Sequence, residues 1–151
     1  MIDGVVVRNL RVIPDERGHL MEMLSSDDEV FEKFGQAYVT TIYPGVVKAW
    51  HMHRVRDDNV VCVRGMIKLV LFDGRDGSPT GGGLMEVFLG EHRPALVHVP
   101  RGVRHGWKCI SDVEAYVVNM PTEPYDHGDP DEERLPYDSG EIPYDWEVKM
   151  G

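Results

Sequence analysis

The sequence is poor in cysteine and in long apolar runs, and each shortage excludes a class of protein. Cys62 and Cys109 are its only two cysteines. Two are too few for a disulfide framework, so we expect both to be reduced packing residues. No apolar run is long enough to cross a bilayer, which predicts no membrane partner. The first residues carry charges too early for a signal peptide, which favours a cytoplasmic protein.

The sequence also has no excess of basic residues. The 151 residues include 26 acidic and 16 basic side chains, which give a formal net charge of -10. Proteins that bind nucleic acid without sequence preference normally present a basic surface, so we expect no nucleic-acid partner. A small anionic ligand is still compatible, because a site can be locally basic on an acidic protein.

Short strand-like segments separated by turns fill residues 5–120. They are rich in valine, isoleucine and aromatic residues and are bounded by glycine, proline and aspartate. Closely spaced strands of this kind predict an all-β sandwich or barrel. Residues 27–34 are an exception, because their apolar residues have helical spacing after a possible Asp27 or Asp28 N-cap. This segment predicts a short helix.

The C-terminal segment, residues 121–151, is acidic and rich in proline. We interpret it as an extension of one domain that spans residues 1–151. Its aromatic residues predict that it packs on the body of the protein or on a partner subunit; they are Tyr125, Tyr137, Tyr144 and Trp146. The acidic run from Asp129 to Glu133 predicts a solvated face.

Three histidines fall in a pattern with chemical meaning. In a strand, His51 and His53 would point to the same face, and a turn would return Asp58 on the next strand. His105 follows a Pro-x-Gly turn further along the chain. Three histidines and a carboxylate facing inward are a standard ligand set for a divalent transition metal, whereas a barrel interior lined with hydrogen-bonded histidines is the simpler alternative. The spacing resembles the two motifs of the cupin superfamily, with an aspartate where glutamate is usual.

Two further stretches resemble a narrower family. "DGRDGSPTGG" and "VHVPRGVRHGWKCIS" are similar to the signature of the dTDP-4-dehydrorhamnose 3,5-epimerase family. "DERGHLME" and "GQAYVTTIYPGVVKAWH" match two other segments of that family, so the resemblance runs from about Val5 to Tyr125. The chain is thereby identified as a divergent member of the family. The resemblance implies a cupin jelly roll with one or two short helices.

The resemblance also implies an activity. Members of the family are homodimeric isomerases that act on a dTDP-linked 4-keto-6-deoxysugar and need no metal or organic cofactor. They remove and return a proton next to the ketone, in deoxysugar or polysaccharide biosynthesis. The family's catalytic base falls on His51, with His53 and His105 as candidate proton partners. Tyr125 is a candidate match to a family tyrosine.

Substrate-binding positions follow from the same resemblance. Arg17 and Lys48 match the two arginines that hold the diphosphate, although a lysine lacks the bidentate geometry of an arginine. Glu22 and Gln36 match positions that contact the nucleotide and the substrate. Leu20 stands where the family has a phenylalanine that stacks on the base.

The sequence departs from the family's pattern at three positions, so it does not decide which reaction is catalysed. The family's enolate-stabilising lysine falls on Asp58, and a carboxylate about 4 Å from an enolate costs about 4 kcal/mol at an effective dielectric of about 20. The proton-donating tyrosine falls on Val118. The acidic residue that orients the family's base has no clear counterpart. Asp58 can orient a histidine instead.

Four interpretations therefore remain. The first is a nucleotide-sugar epimerase. The second is a dTDP-sugar 3,4-ketoisomerase, since these cupins use an H-x-H pair like His51 and His53 as acid and base. The third is a metal-binding cupin that uses His51, His53, Asp58 and His105. The fourth is a relative that binds a sugar nucleotide without catalysis.

Overall fold

Twelve β-strands build the protein, whose computed structural model describes residues 1–150. The strands are β1 (Val6–Asn9), β2 (Val12–Asp15), β3 (Gly18–Met21), β4 (Tyr38–Ile42), β5 (Val47–Met52), β6 (Asp58–Arg64), β7 (Met66–Asp73), β8 (Leu84–Gly90), β9 (Ala95–Val99), β10 (Val103–Cys109), β11 (Ala115–Asn119) and β12 (Glu133–Arg134). The first sheet has the order β1-β9-β6-β11-β4, and the second has the order β12-β5-β10-β7-β8. Strands β2 and β3 form a separate hairpin.

The two five-stranded sheets are antiparallel and pack face to face. Buried residues of both sheets form one cluster, in which Val60 and Val97 of the first sheet lie with Leu69 and Leu71 of the second. Along β11 the buried residues alternate with partly exposed ones, as expected for a strand with one face on the core. The predicted all-β jelly roll is confirmed.

The predicted short helix is wrong. Residues 27–34 contain turns, and the described part of the chain contains no helix. The Asp28 carboxylate accepts hydrogen bonds from the Ser25 backbone and from Arg8 of β1, so it ties this segment to the first sheet. Hydrogen bonds between residues three apart, from Asp28 to Ser25 and from Phe31 to Asp28, close single turns that do not continue. The helical spacing of the apolar residues gave no sign of these hydrogen bonds, which hold the segment in turns instead of a helix.

The C-terminal segment covers the outer face of the second sheet. Strand β12 pairs with β5, and Trp146 packs against Trp50, with ring centroids 5.0 Å apart. Ile142 and Val70 complete this second apolar cluster. The prediction of a solvated acidic run is wrong for its second half, since residues 131–133 are half-buried. Because β12 extends the second sheet beside β5, residues of the segment also form part of the wall of the cavity described below.

The structure also shows the state of the two cysteines and bears on the absence of long apolar runs. Cys62 and Cys109 are both buried and form no disulfide. Burial raises the pKa of Cys62 to about 12. Within residues 1–150 there is no helix long and apolar enough to span a membrane.

Candidate active site

A cavity of about 730 Å³ lies between the two sheets and is lined by most of the residues predicted to be catalytic. The first sheet contributes Tyr38 from β4 and Asp58 from β6. The second sheet contributes Lys48 and His51 from β5 and His105 from β10. His53 and Arg56 come from the turn after β5, and Glu132, Arg134 and Tyr137 come from the C-terminal segment. A cavity of this size in which several polar groups converge is typical of a small-molecule site.

Two of the three histidines converge on one carboxylate. The Nε2 atoms of His53 and His105 each lie 3.3 Å from Asp58 Oδ2, and all three side chains are buried. Burial alone would raise the pKa of Asp58, but hydrogen bonds from His105 and His53 hold that pKa well below its usual range. Asp58 is therefore an ionised residue that fixes two imidazole rings.

The orientation of His53 is set by the C-terminal segment. Its Nδ1 donates a hydrogen bond to the backbone carbonyl of Asp131, which leaves Nε2 toward Asp58 and Arg56. The Asp131 carboxylate accepts three backbone N–H groups from residues 54–56, at 2.7, 2.9 and 3.1 Å. Burial lowers the pKa of His53, but its hydrogen bond and charge interaction with Asp58 outweigh this and raise the pKa above its ordinary value.

His51 differs from the other two histidines. Its ring lines the cavity, and no described residue forms a hydrogen bond with either ring nitrogen. Burial, assisted by the neighbouring His105, lowers its pKa to about 4. A neutral imidazole with a free lone pair can accept a proton at neutral pH. Of the three, His51 is the histidine equipped to act as a base.

Arg56 places a buried positive charge beside Asp58. Its side chain is 6% exposed, its Nη2 lies 3.1 Å from His53 Nε2, and its Nε lies 3.6 Å from Asp58 Oδ1. That Nε and that Oδ1 are buried without a hydrogen-bond partner among the described residues. Buried polar atoms are nearly always satisfied, and here the attraction between the two opposite charges takes the place of the missing hydrogen bonds.

Cationic groups also lie toward the outside of the cavity. Lys48 donates to Thr40 Oγ1 at 3.1 Å and to the Thr41 carbonyl at 2.6 Å, so its ammonium group is held in place. Arg134 is largely exposed and donates to Glu132 at 2.7 Å. Because β12 pairs Arg134 with His51, this guanidinium belongs to the same wall as the candidate base.

Comparison with known proteins decides the family. The sequence model described as dTDP-4-dehydrorhamnose 3,5-epimerase matches residues 1–151. The chain belongs to this family. The expected class of enzyme, a sugar epimerase, is thus confirmed at the level of the family, and so is the resemblance from which it was inferred.

Individual members of the family are similar over nearly the whole chain. A probable low-salt glycan biosynthesis epimerase, Agl13 of Haloferax volcanii, is 43% identical, with 99% of this chain and 97% of that protein covered. The structure of a dTDP sugar isomerase from Desulfovibrio desulfuricans G20 has a TM-score of 0.91 at 36% identity, covering 96% and 92% of the two chains. NovW, a 4-keto-6-deoxy sugar epimerase of Streptomyces spheroides, gives 0.86 at 28% identity, covering 97% and 76%.

Four family-matched positions do not line the central cavity in the part of the chain that the structure describes. They are Arg17, Glu22, Gln36 and Tyr125. Arg17 is exposed at the tip of the β2–β3 hairpin and pairs with Asp15. Gln36 accepts a hydrogen bond from the Tyr125 backbone at 3.1 Å, beside a separate depression lined by Tyr125 and Arg56. Of the four predicted substrate-binding residues, the structure places only Lys48 at this cavity.

The predicted set of metal ligands is only partly assembled. Donor atoms of His53, Asp58 and His105 all lie within 4.8 Å of one another, and His51 is outside this group. Arg56 Nη2 lies 3.1 Å from His53 Nε2, so a positive charge already stands beside these donors. The three donors therefore fit a divalent ion poorly unless the guanidinium moves.

Two sequence motifs of the family have structural explanations here. In "DGRDGSPT", the buried Asp73 carboxylate accepts hydrogen bonds from Arg75 at 2.8 Å and from Ser78 and Thr80 at 2.6 Å each, which fixes the β7–β8 loop. In "RHGW", a Cβ on Gly106 would lie 2.2 Å from the Cβ of Ala49. Glycine is thus required for β10 to approach β5 and place His105 beside His51.

Several cavity residues, Arg134 among them, were not identified from the sequence. Arg56 lies in "HRVRDD", where nothing distinguishes it from the neighbouring exposed Arg54. Glu132 was assigned to a solvated run, and Tyr38 to an ordinary strand. The alternation of β4 would have supported Tyr38, because it shares a face with the buried Ile42.

Proposed function

We propose that this protein is an epimerase that removes and returns a proton next to the ketone of a nucleotide-diphospho-4-keto-6-deoxysugar. The observation that supports this proposal most strongly is the state of His51. It is a neutral, unpartnered imidazole in a cavity that also holds fixed positive charge. Enolisation of a ketone needs a positioned base and a means of stabilising the enolate, and no redox group is required.

Arg56 supplies the enolate-stabilising charge in this proposal. At about 4 Å and an effective dielectric of about 20, one unit charge contributes about 4 kcal/mol, so the repulsion expected from Asp58 is offset by a cation of equal charge. His53 and His105 share the Asp58 carboxylate and reduce its effect further. An aspartate at position 58, where the family has a lysine, is therefore compatible with formation of an enolate.

Lys48 and Arg134 are the proposed contacts of the diphosphate. Both are cationic cavity residues on the wall formed by β5 and β12. Arginine and lysine are the usual phosphate-binding side chains. A dTDP-linked sugar is the proposed ligand, because the Desulfovibrio relative is named as a dTDP sugar isomerase.

A homodimer and a cytoplasmic location are part of the same proposal. The β2–β3 hairpin forms its own two-stranded sheet, and its Ile13 and Leu20 are 44% and 56% exposed. Exposed apolar side chains on a projecting hairpin are suited to contact a second copy. In such a dimer Arg17 would serve the cavity of the partner, which accounts for its position far along the hairpin.

Epimerisation is favoured over a keto shift by the state of His53. A 3,4-ketoisomerase would use His51 and His53 as an acid and base pair. Here both ring nitrogens of His53 are engaged, Nδ1 by Asp131 and Nε2 by Arg56 and Asp58. His51 alone has free ring nitrogens among the three histidines.

Incubation in D₂O tests this function. With a panel of nucleotide 4-keto-6-deoxysugars, we expect deuterium at a carbon next to the ketone and formation of the inverted sugar, both followed by NMR. The matched control is the same nucleotide sugar with the ketone reduced, which cannot enolise and should not exchange. Binding without exchange for every ketone would identify a non-catalytic relative. Exchange that requires a stoichiometric transition metal would favour the metal-binding alternative.

The pH dependence of the reaction follows from the low pKa of His51. A base must be neutral to act, so kcat/KM should stay level below pH 7 and fall only as His51 gains a proton near its pKa of about 4. An ordinary histidine would cause that fall at about 6.5. The measurement is kcat/KM between pH 4 and 8, with folding verified at each pH by circular dichroism. An acidic limb centred near 6.5 would contradict the assignment.

A further inference from the structure

Tyr38 is a titratable residue of the central cavity that the steps described above do not use. It begins β4 at the edge of the first sheet, and its side chain lines the cavity together with that of Thr40. Ile42, on the same face of this strand, is buried in the core. The side chain therefore points toward the space between the two sheets, at its edge, and the residue is 37% exposed.

Asn119 fixes the hydrogen-bonding role of this phenol. Asn119 is 1% exposed and lies opposite Tyr38 in the β11–β4 ladder. Its Oδ1 accepts the backbone N–H of Asn59 at 3.1 Å, so the other end of the amide must be the NH₂ group. That NH₂ donates to the Tyr38 hydroxyl oxygen at 2.9 Å. The oxygen of Tyr38 is thus an acceptor toward the protein.

The hydroxyl hydrogen of Tyr38 is consequently free for a ligand. No described residue accepts it, and the amide of Asn119 occupies one side of the oxygen. Burial, followed by the negative charge of Asp58, raises the pKa of Tyr38 above its ordinary value, so the phenol is protonated at neutral pH. A protonated phenol whose oxygen is held in place and whose hydrogen has no partner can donate that proton to a bound ligand.

Tyr38 and His51 come from opposite walls of the cavity. His51 lies on β5 of the second sheet, and Tyr38 lies on β4 of the first. Inversion at a carbon needs a proton to leave from one face and another to arrive at the opposite face. Tyr137, the other tyrosine at this cavity, follows β12, which pairs with β5, so it lies on the His51 side and is 54% exposed.

We propose that Tyr38 is the catalytic acid that returns the proton on the face opposite His51, an inference that rests on the epimerase function proposed above. His51 takes the proton from the carbon next to the ketone, and the C–H electron pair forms the enolate. The enolate carbon then breaks the O–H bond of Tyr38 and takes its proton from the other face. The phenolate regains a proton from water, and the imidazolium of His51 releases one, so no net charge or electron is gained.

The test is Tyr38→Phe in D₂O, with the ketone that the wild-type protein turns over. Two quantities are measured by NMR: deuterium in the recovered substrate, and the amount of inverted product. We expect inversion to fall by about 10²–10⁴-fold, which is the range for loss of a general acid. Exchange into recovered substrate of unchanged configuration should continue, because His51 still removes the proton and returns a deuteron to the same face.

Tyr116→Phe is the matched control. Tyr116 is on β11, and its ring contacts Arg64 outside the cavity, so both rates should equal those of the wild type. Wild-type inversion by Tyr38→Phe would overturn the proposal. So would parallel loss of exchange and inversion with an unchanged melting temperature, since that would indicate a binding or positioning role. Failure of the wild type itself to exchange any 4-keto sugar would refute the epimerase function first.

Discussion

Replacing His51 with alanine is expected to abolish both solvent exchange and inversion while ligand affinity is retained. General bases contribute about 10²–10⁴-fold to the rate, and no other histidine in the cavity has a free ring nitrogen. The diphosphate contacts proposed for Lys48 and Arg134 do not involve this ring, so binding should change little. Isothermal titration gives the affinity, and NMR in D₂O gives the two rates.

The control for this variant is His92→Ala. His92 is exposed in the turn before β9, away from the cavity, so its loss should leave both rates and the affinity unchanged. Added imidazole offers a second measurement, because a small base can enter the space left by the missing side chain. Rescue of exchange by imidazole would support a base at this position. A His51→Ala protein that exchanges as fast as the wild type would refute the assignment.

Together, the His51 and Tyr38 variants separate the two half-reactions. Loss of the base stops exchange and inversion together, whereas loss of the acid on the other wall stops inversion alone. Only an active site with one group on each face of the substrate predicts this difference. A single histidine working on one face would produce exchange without inversion in the wild-type protein as well.

The central part of the site could be predicted because strand geometry is periodic. Residues two apart on a strand share a face, and a tight turn brings the next strand back beside it. These rules place His51 and Asp58 in the cavity. They do not show that Asp58 is ionised between two imidazoles. That depends on His105, which is 47 positions away in the sequence and is brought near by pairing of β10 with β5.

The parts of the site that were missed come from segments with no periodic signal. Arg56 is in a turn whose shape is set by Asp131, a residue of the distant C-terminal segment. Glu132 reaches the cavity because the same segment adds a short strand to β5. For Arg17, similarity identifies the residue but not its place, which is the exposed tip of the β2–β3 hairpin. Local rules cannot supply such long-range placements.

Replacing Asp58 with asparagine is expected to lower the free energy of unfolding by about 3–5 kcal/mol at pH 7. Removal of one partner of a buried ion pair leaves the other charge without compensation, and Arg56 is buried beside this carboxylate. His53 and His105 would also lose the acceptor that their Nε2 atoms share. Urea unfolding followed by fluorescence measures the change, with tryptophan residues as the probe.

The pH dependence of this difference identifies its electrostatic origin. The folded state depresses the pKa of Asp58, so its stabilisation is present above the unfolded-state pKa of about 3.9 and is lost as pH falls further. The gap between the wild type and Asp58→Asn should therefore narrow from pH 7 to pH 3. Asp112→Asn, at an exposed residue that has no ion pair in the described structure, should stay within about 0.5 kcal/mol.

Joint replacement of the pair tests the same argument from the other direction. Exchanging both charges for apolar groups, as Arg56→Met with Asp58→Leu, removes the uncompensated guanidinium, and such replacements of buried pairs are often neutral. We expect this double variant to be more stable than Asp58→Asn alone, although it should be inactive because it lacks the enolate-stabilising cation. A single variant as stable as Asp112→Asn, or a double variant less stable than the single one, would show that Asp58 does not hold Arg56 and the two histidines together.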